Sequence, residues 1–516
     1  TEEGRRPTCD LQDRKAMIVV SGVRWCLGAF LALWLADGVG QKYDYTWVLG
    51  YDYSLNTYPD KAEGSIIRFN DSPPSVTPYP IAYDMLGGTA ISDPESGELL
   101  FYTNGCSVIN ARHEVMDNGE NLNPGSWHIA YCIPGPRAYY PTSQVIFAVP
   151  YPGRQGRYVL FHRQKNGNDI TKRSQLYSVI DMRANEGLGK VSEKNIPLIS
   201  LADLAWNQAT ACKTADGTGW WVPVWSRVEP VCTMILLDSL GPRVHHKQTI
   251  GQEGPEINGA AAFDPSGRHY LWYDLRMGVH AYDFDRETGM FSRPRKLIIN
   301  TPPPYSASVG VSISPNGRYA YLSARDTLYQ LEHTLDDLAS GLVMIDTMRI
   351  PTTYGIPITF SNSLLGPDCR IYITSGFAWA ALSIIHHPDE KGKACGLEKL
   401  GLRLPFPNRN GSVPVYPMYR MDNEEICDPG ISHVFPPGWY THPVPPYPNP
   451  TSGHLYIDGR ERGEVSLHDQ AGRKLLTWDA TGELSVLDLS SLGSGMYFLT
   501  LRRGDGRPVT YKIVKL

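Results

Sequence analysis

The twelve residues FDPSGRHYLWYD, Phe263 to Asp274, decide the fold. Pro265 pre-sets φ in the turn, the Asp264 and Ser266 side chains bond to nearby backbone, and Gly267 accepts the left-handed conformation that returns the chain antiparallel. The aromatic run that follows suits a pleated strand. The stretch therefore predicts a tight hairpin.

The same form recurs on both sides of it. It appears as SDPESGELLFYTNG around Gly97, YPGRQGRYVLFH around Gly156, TADGTGWWVPVW around Gly217, SPNGRYAYLSA around Gly317 and GPDCRIYITSG, where Cys369 stands in the glycine slot. The intervals from Gly97 to Cys369 are 59, 61, 50, 50 and 52 residues, read from the numbering. Such a unit holds four short strands, and a sheet of that size cannot bury both of its faces without neighbours, so the period points to propeller blades. The expectation is an all-β protein: a seven-bladed β-propeller, within a range of six to eight, followed by a small Ig-like β-sandwich. Six blades carry the turns above. The seventh is expected to be shared between residues 43–69 and 397–421, joined as the ring closes. A row of β-sandwiches would need units of about 100 residues.

Composition narrows the class. At 516 residues the chain is long enough for several domains. Its 49 Gly, 41 Pro and 30 Tyr fit turn-rich β structure, and a net charge of −5 offers no basic stripe for nucleic acid. Near the start, Trp25 to Ala36 is an apolar run preceded by Arg14, Lys15 and Arg24 and followed by small residues to Gly40. That layout is expected to be a secretory signal cut near Gly40 and Gln41, with Met17 as the start. The run spans about 18 Å as a helix, too short for the roughly 30 Å of hydrocarbon in a bilayer. No stable membrane span is expected once it is removed. Seven cysteines follow (Cys106, Cys132, Cys212, Cys232, Cys369, Cys395, Cys427), none in CxxC spacing, and their pairing cannot be read from sequence.

Candidate sites were weighed against burial. In GWWVPVWSR, alternation puts Trp221 and Trp225 on one face of a strand and Trp220 on the other; exposed at a rim, the pair could stack on sugar, and otherwise it packs between blades. The Tyr cluster RAYYPTSQ (137–144) carries the same two readings. DFDRETG resembles a calcium loop in its Asp283, Asp285 and Glu287, but its glycine falls one place late, so a solvated hairpin tip is expected. His245–His246 and His386–His387 are expected to point to opposite faces of their strands. The acids Asp203, Glu256 and Asp274 have no partner in sequence, and no GxSxG, HExxH or SxxK occurs. No catalytic, cofactor or metal residue is assigned.

The runs ISDPESGELLFYTNGCSVINARHEVMDNG, SQVIFAVPYPG, HAYDFDRETGMFS and ISPNGRYAYLS resemble secreted bacterial β-propeller proteins with WD40-like blades, a resemblance covering most of residues 43–430.

Residues 436–446 are expected to be a proline-rich linker between a propeller at 41–435 and a last domain at 447–516. Proline there makes a semi-rigid spacer. Beyond it come HLYID, GEVSLHDQAGRKLLTWDA, GELSVLDLSSLGSGMYFLTLRRGDG and PVTYKIVKL, short strands of a small sandwich. This part resembles the C-terminal sorting domain of the type IX secretion system, through Pro448, Asn449, Pro450, Gly453, Gly472, Gly495, Tyr497 and Lys512. The resemblance implies the type IX translocon as a partner and delivery through the periplasm to the medium or the outer-membrane surface of a Gram-negative bacterium. For the propeller, three functions remain open: a binding module for glycan or protein at the loop funnel, a hydrolase or lyase with tunnel carboxylates, or a filament subunit.

Overall fold

The computed structural model describes residues 41–50, 63–80, 85, 87–132, 138–141, 145–165, 171–205, 207–251, 259–299, 309–351, 357–377, 379–408, 413–421, 426–427, 431, 446, 451, 453–457, 462–481, 485–503 and 508–516. The expected signal, residues 1–40, lies outside them.

Among the described residues, 46–408 form seven consecutive antiparallel meanders, the first two of three strands and the rest of four. Their first strands are Thr46–Leu49, Thr89–Ser92, Phe147–Pro150, Cys212–Lys213, Ala260–Phe263, Gly310–Ile313 and Phe360–Leu365. Each of the six turns read from sequence joins the first strand to the second in sheets two to seven. Their key residues all take positive φ: Gly97 76°, Gly156 70°, Gly217 71°, Gly267 66°, Gly317 74° and Cys369 66°.

Period-two alternation supplies the packing between sheets. Trp220, Val222 and Val224 lie in a core with sheet three, while Trp221 and Trp225, on the other face of the same strand Trp220–Trp225, lie in a core with Phe263, Tyr270 and Trp272 of sheet five. Trp225 stands 5.5 Å from Phe291 and donates Nε1–H to Tyr270 Oη at 3.1 Å.

The seven sheets surround one segment. In residues 413–421, Tyr416 donates its hydroxyl to Thr46 O of sheet one, Val415 O accepts from Thr89 Oγ1 of sheet two, and Tyr419 donates to Ala148 O of sheet three. The Met421 sulfur lies 4.0 Å from Cys212 Sγ of sheet four, and the same segment shares a cavity with Ala262, Ser312 and Ser363 of sheets five to seven. Nine residues can touch the first strand of every sheet only if those strands stand around them. This is a β-propeller with a filled axis.

The expected shared seventh sheet is corrected. Thr46–Leu49 pairs with Glu63–Arg68, which pairs with Ser75–Pro80, in a sheet of their own, and Leu397–Asn408 is the outer strand of the last sheet. The prolines of SVTPYP hide that third strand from a sequence reading. Sheets one and seven instead meet face to face: Trp47 and Phe69 pack on Tyr372 at 5.4 and 5.8 Å, in a core with Leu382 and Leu402.

Toward the C-terminus, Lys474–Thr481, Arg462–His468, Gly495–Arg503 and Pro508–Lys515 form one sheet, and His454–Ile457 with Ser485–Asp488 another. Leu455, Val465, Leu467, Leu489, Leu499, Leu501 and Ile513 fill a core between them with no propeller residue in it.

The turns make a graded test. A Cβ on Gly217 meets nothing within 4 Å, whereas one on Gly267 falls 2.7 Å from Cys212 Sγ and 2.6 Å from Met421 Cε. Gly217→Ala should therefore cost only the left-handed backbone term, about 1–2 kcal/mol. Gly267→Ala should cost visibly more. Denaturant unfolding of the two variants measures the order, and equal losses would contradict it.

Candidate functional site

The axis is the natural place to look for a site, because every sheet contributes its first strand there. The segment VPVYPMYRM (413–421) runs through it and leaves a cavity of about 80 Å³. Small side chains of the first strands allow the segment in: Ala261, Ala262, Ser312 and Ser363 line the space. Ser312 Oγ donates to Ser363 Oγ at 2.9 Å. Asp44 is the one carboxylate among the described lining residues. Arg420 grips it with Nη1 to Oδ1 at 2.6 Å and Nη2 to Oδ2 at 2.8 Å, both side chains under a tenth exposed. Such a two-pronged pair is strong and directional, and it engages both oxygens of the carboxylate. Sequence reasoning placed these residues in a closing strand. The signal against that was Pro414 and Pro417, which cannot both serve a sheet ladder.

A second constellation looks catalytic. His162 Nε2 lies 3.0 Å from Ser178 Oγ and His162 Nδ1 lies 2.7 Å from Asn123 Oδ1. Asn195 N–H donates to Ser178 Oγ, so the hydroxyl proton points to Nε2, and Asn123 Nδ2 donates to Gly105 O, which fixes its amide. The order serine, histidine, asparagine has the spacing of a nucleophile and its base. All three residues are 0% exposed. Burial pushes the imidazole down to about 3, so it stays neutral, and no substrate reaches the hydroxyl. The triad is a strut between the residue 111–146 connection and sheet three.

Trp221 and Trp225 are 3% and 1% exposed. The exposed stacking pair that sequence allowed is thus corrected: both rings are wedged between sheets four and five. Of the 137–144 cluster, Tyr140 is buried and gives its hydroxyl to Lys165 N–H as acceptor at 2.9 Å.

An aromatic pair that sequence reasoning missed lies nearby. On the short helix Ser126–Tyr131, Trp127 and Tyr131 stack at 5.2 Å and 18°, Tyr139 stands 6.1 Å from Tyr131, and Lys165 Nζ sits 4.1 Å from the centre of the Trp127 ring. Burial, with Arg173 adding to it, pulls that lysine down to about 7. Tyr131 is 38% and Ile129 74% exposed. The Cys106–Cys132 disulfide ties the helix end to sheet two. The spacing Trp127–Tyr131, four apart on a helix, was the available signal.

The histidine pair His245–His246 also departs from expectation. Met234 pairs with His246 and Ile235 with Val244, so His245 is the extra residue of a bulge. Both rings therefore reach Trp221, at 5.1 and 6.3 Å, with Nδ1 to Nδ1 at 2.9 Å. His386 bonds to Glu398 at 2.9 Å. In DFDRETG, Asp283 pairs with Arg293 and Arg295, while Asp285 takes Thr288 Oγ1 and the Glu287 amide, so both acids are spent on the hairpin. Asp203 is held by Lys172 and Arg227, Asp274 caps the turn to Met277, and Glu256 lies outside the described residues. Among the described residues no group of three metal-capable side chains occurs.

The cysteines pair as Cys106–Cys132 and Cys369–Cys427; Cys212, Cys232 and Cys395 are buried and form no disulfide among the described residues. In the last domain Gly453 is buried, and a Cβ there would come 2.9 Å from Ser490 Oγ. Gly472 has φ 78° in the turn from Asp469 to Arg473, and Tyr497 donates to Gly493 O at 2.8 Å. Gly495 opens a strand, Lys512 pairs with Phe498, and Pro448, Asn449 and Pro450 lie outside the described residues.

Comparison with known proteins gives one family. Residues 446–515 match the secretion system C-terminal sorting domain. A protein carrying it is sent to the extracellular medium or the outer-membrane surface, and the domain engages the type IX machinery. No helix among the described residues is long and apolar enough to cross a membrane. No curated protein matches. Similar solved structures include a putative 6-phosphogluconolactonase of Bacteroides fragilis (12% identity, TM-score 0.38, covering 71% of this chain and 96% of that one). Others are apo AztD of Citrobacter koseri (12%, 0.32, 86% and 97%) and the Dos1 propeller (10%, 0.30, 61% and 62%).

Buried neutral histidines set an acid limit. His162 and His280 are held down to about 3 and His333 to about 4, chiefly by burial. The unfolded imidazole titrates near 6.5, so between that value and about 3–4 the unfolded state binds more protons. Stability should be full above pH 6.5 and fall as pH drops below it, by up to about 1.4 kcal/mol per pH unit for each histidine. Denaturant midpoints from pH 7 to 4 should show this, with a shallower fall in His162→Gln.

Proposed function

We propose that this chain is an exported binding protein whose propeller takes its ligand on the loop-bearing exterior while the axis serves as scaffold. One observation carries the reading: the tunnel is occupied by residues 413–421, and its carboxylate Asp44 is committed to Arg420. About 80 Å³ holds a handful of waters, against the roughly 300–1,000 Å³ of ligand sites. Glycoside hydrolysis asks for two carboxyl groups about 5–9.5 Å apart flanking a bond. Among the described residues the tunnel lining supplies one, already paired.

The exterior surface best suited to a ligand is the Trp127–Tyr131 patch. An exposed ring next to a cation fits a sugar face or a peptide side chain. Lys165 and Tyr131 already cover Trp127, so Tyr131 and Ile129 would meet the ligand. The residue 1–40 leader would deliver the chain to the periplasm and the sorting domain would take it across the outer membrane.

Two measurements test this. Removal of residues 447–516 should leave the protein in the cell; its normal appearance in the medium would end the export reading. On glycan arrays and in pull-downs from medium, Tyr131→Ala should lose binding by tenfold or more at unchanged melting temperature. Trp225→Ala should instead destabilise the protein by about 3–5 kcal/mol, as buried aromatic truncation does. A Tyr131→Ala protein that binds like the parent would move the ligand elsewhere.

A further inference from the structure

We propose that residues 413–421, with Ile426 and Cys427, are the clasp that closes the propeller, an axial strap replacing the usual sharing of one sheet between chain ends. Among the described residues of 46–408 every strand pairs inside its own sheet, and none from one end is built into a sheet of the other. Side-chain packing of sheet one on sheet seven is then the contact that seals the ring. Something must hold the two together at the axis.

The strap does so by spanning them. At its start Val415 donates N–H to Gly88 O at 2.9 Å and accepts from Thr89 Oγ1 at 3.0 Å, ahead of and within the first strand of sheet two. Midway, Tyr416 and Tyr419 bond to the backbone of sheets one and three. Near its end Arg420 binds Asp44 and the Gln41 carbonyl, just before sheet one, and the Ile426 carbonyl. Cys427 then forms a disulfide with Cys369, the turn residue between the first two strands of sheet seven. One short segment thus fixes sheet one by a buried ion pair and sheet seven by a covalent bond.

This also accounts for a cysteine in a glycine slot. Cys369 tolerates φ 66° where the other five turns use glycine, and the bond to Cys427 is what that position gains. Met421 Cε rests against the Gly267 turn, so the strap leaves the ring on the face that carries these first-to-second-strand turns.

The test uses the full-length protein with Arg420→Met and Cys427→Ser together, followed by hydrogen exchange sheet by sheet. The clasp predicts at least tenfold faster exchange in Thr46–Leu49 and Leu397–Asn408, with sheets four to six (Trp220–Trp225, His269–Asp274, Tyr319–Ala324) keeping their protection. Uniform acceleration in all seven sheets, or none in the first and last, would overturn it. Should that protein fail to fold, the pair Tyr416→Phe and Tyr419→Phe removes two strap hydroxyls at nearly constant volume. The same first-and-last pattern, severalfold in size, is then expected, and a uniform or absent change counts against the clasp.

Discussion

A four-stranded sheet with apolar residues on both faces has no stable existence by itself, and that constraint organises the molecule. In Trp220–Trp225 each successive side chain faces the opposite neighbour, and all six residues are buried. Neither face can be left to water without exposing indole rings, each of which buries some 150–250 Å². Sheet four must therefore have sheet three on one side and sheet five on the other. Applied to every unit, the rule has no end in an open row, because the terminal sheets would each keep a bare face. Closing the row into a ring satisfies it, and Trp47, Phe69 and Tyr372 mark where the two ends meet.

Ring closure creates an axis lined by the open edges of seven first strands, whose unpaired backbone groups need partners. Many small molecules could enter such a channel; here the chain's own segment does. Its tyrosine hydroxyls and backbone groups take up carbonyls that would otherwise face a hollow. The burial of Asp44 and Arg420 is costly on its own terms, since two desolvated charges recover that cost only through close geometry. Their paired contacts and the two extra carbonyls on the guanidinium meet that condition. The pair is thereby part of the packing that fixes the axial segment beside sheet one.

The repeat was legible because it is written locally. A left-handed residue at a turn favours glycine within four positions of its proline or aspartate, and five of the six turns carry one there while Cys369 fills the slot in the sixth. The burial of Trp221 and Trp225 needed knowledge of what stands opposite, although their shared face followed from alternation. The bulge at His245 was invisible, because an extra residue in a strand leaves no mark in composition. The tunnel segment was misassigned for a deeper reason. VPVYPMYRM has the apolar and aromatic content of a strand, and nothing within it says that its partners are residues 44, 46, 89 and 148, more than 260 positions away. Its prolines only say what it is not. The serine, histidine and asparagine of the strut were equally scattered, and their meaning turned on exposure, which sequence does not carry.

The two folded parts of the chain answer to different demands. The last domain closes its own core with Leu455, Val465, Leu467, Leu499, Leu501 and Ile513, a cluster that among the described residues holds no propeller side chain. A sorting element must be recognisable whatever cargo precedes it, so it should draw no stability from that cargo. A core of this size leaves it only marginally stable, as small sandwiches are. The propeller, by contrast, gathers its stability from residues far apart in the chain, and its last bonds are made by Arg420 and Cys427, close to where the domain begins. The bonds that close the ring thus precede the address in the chain.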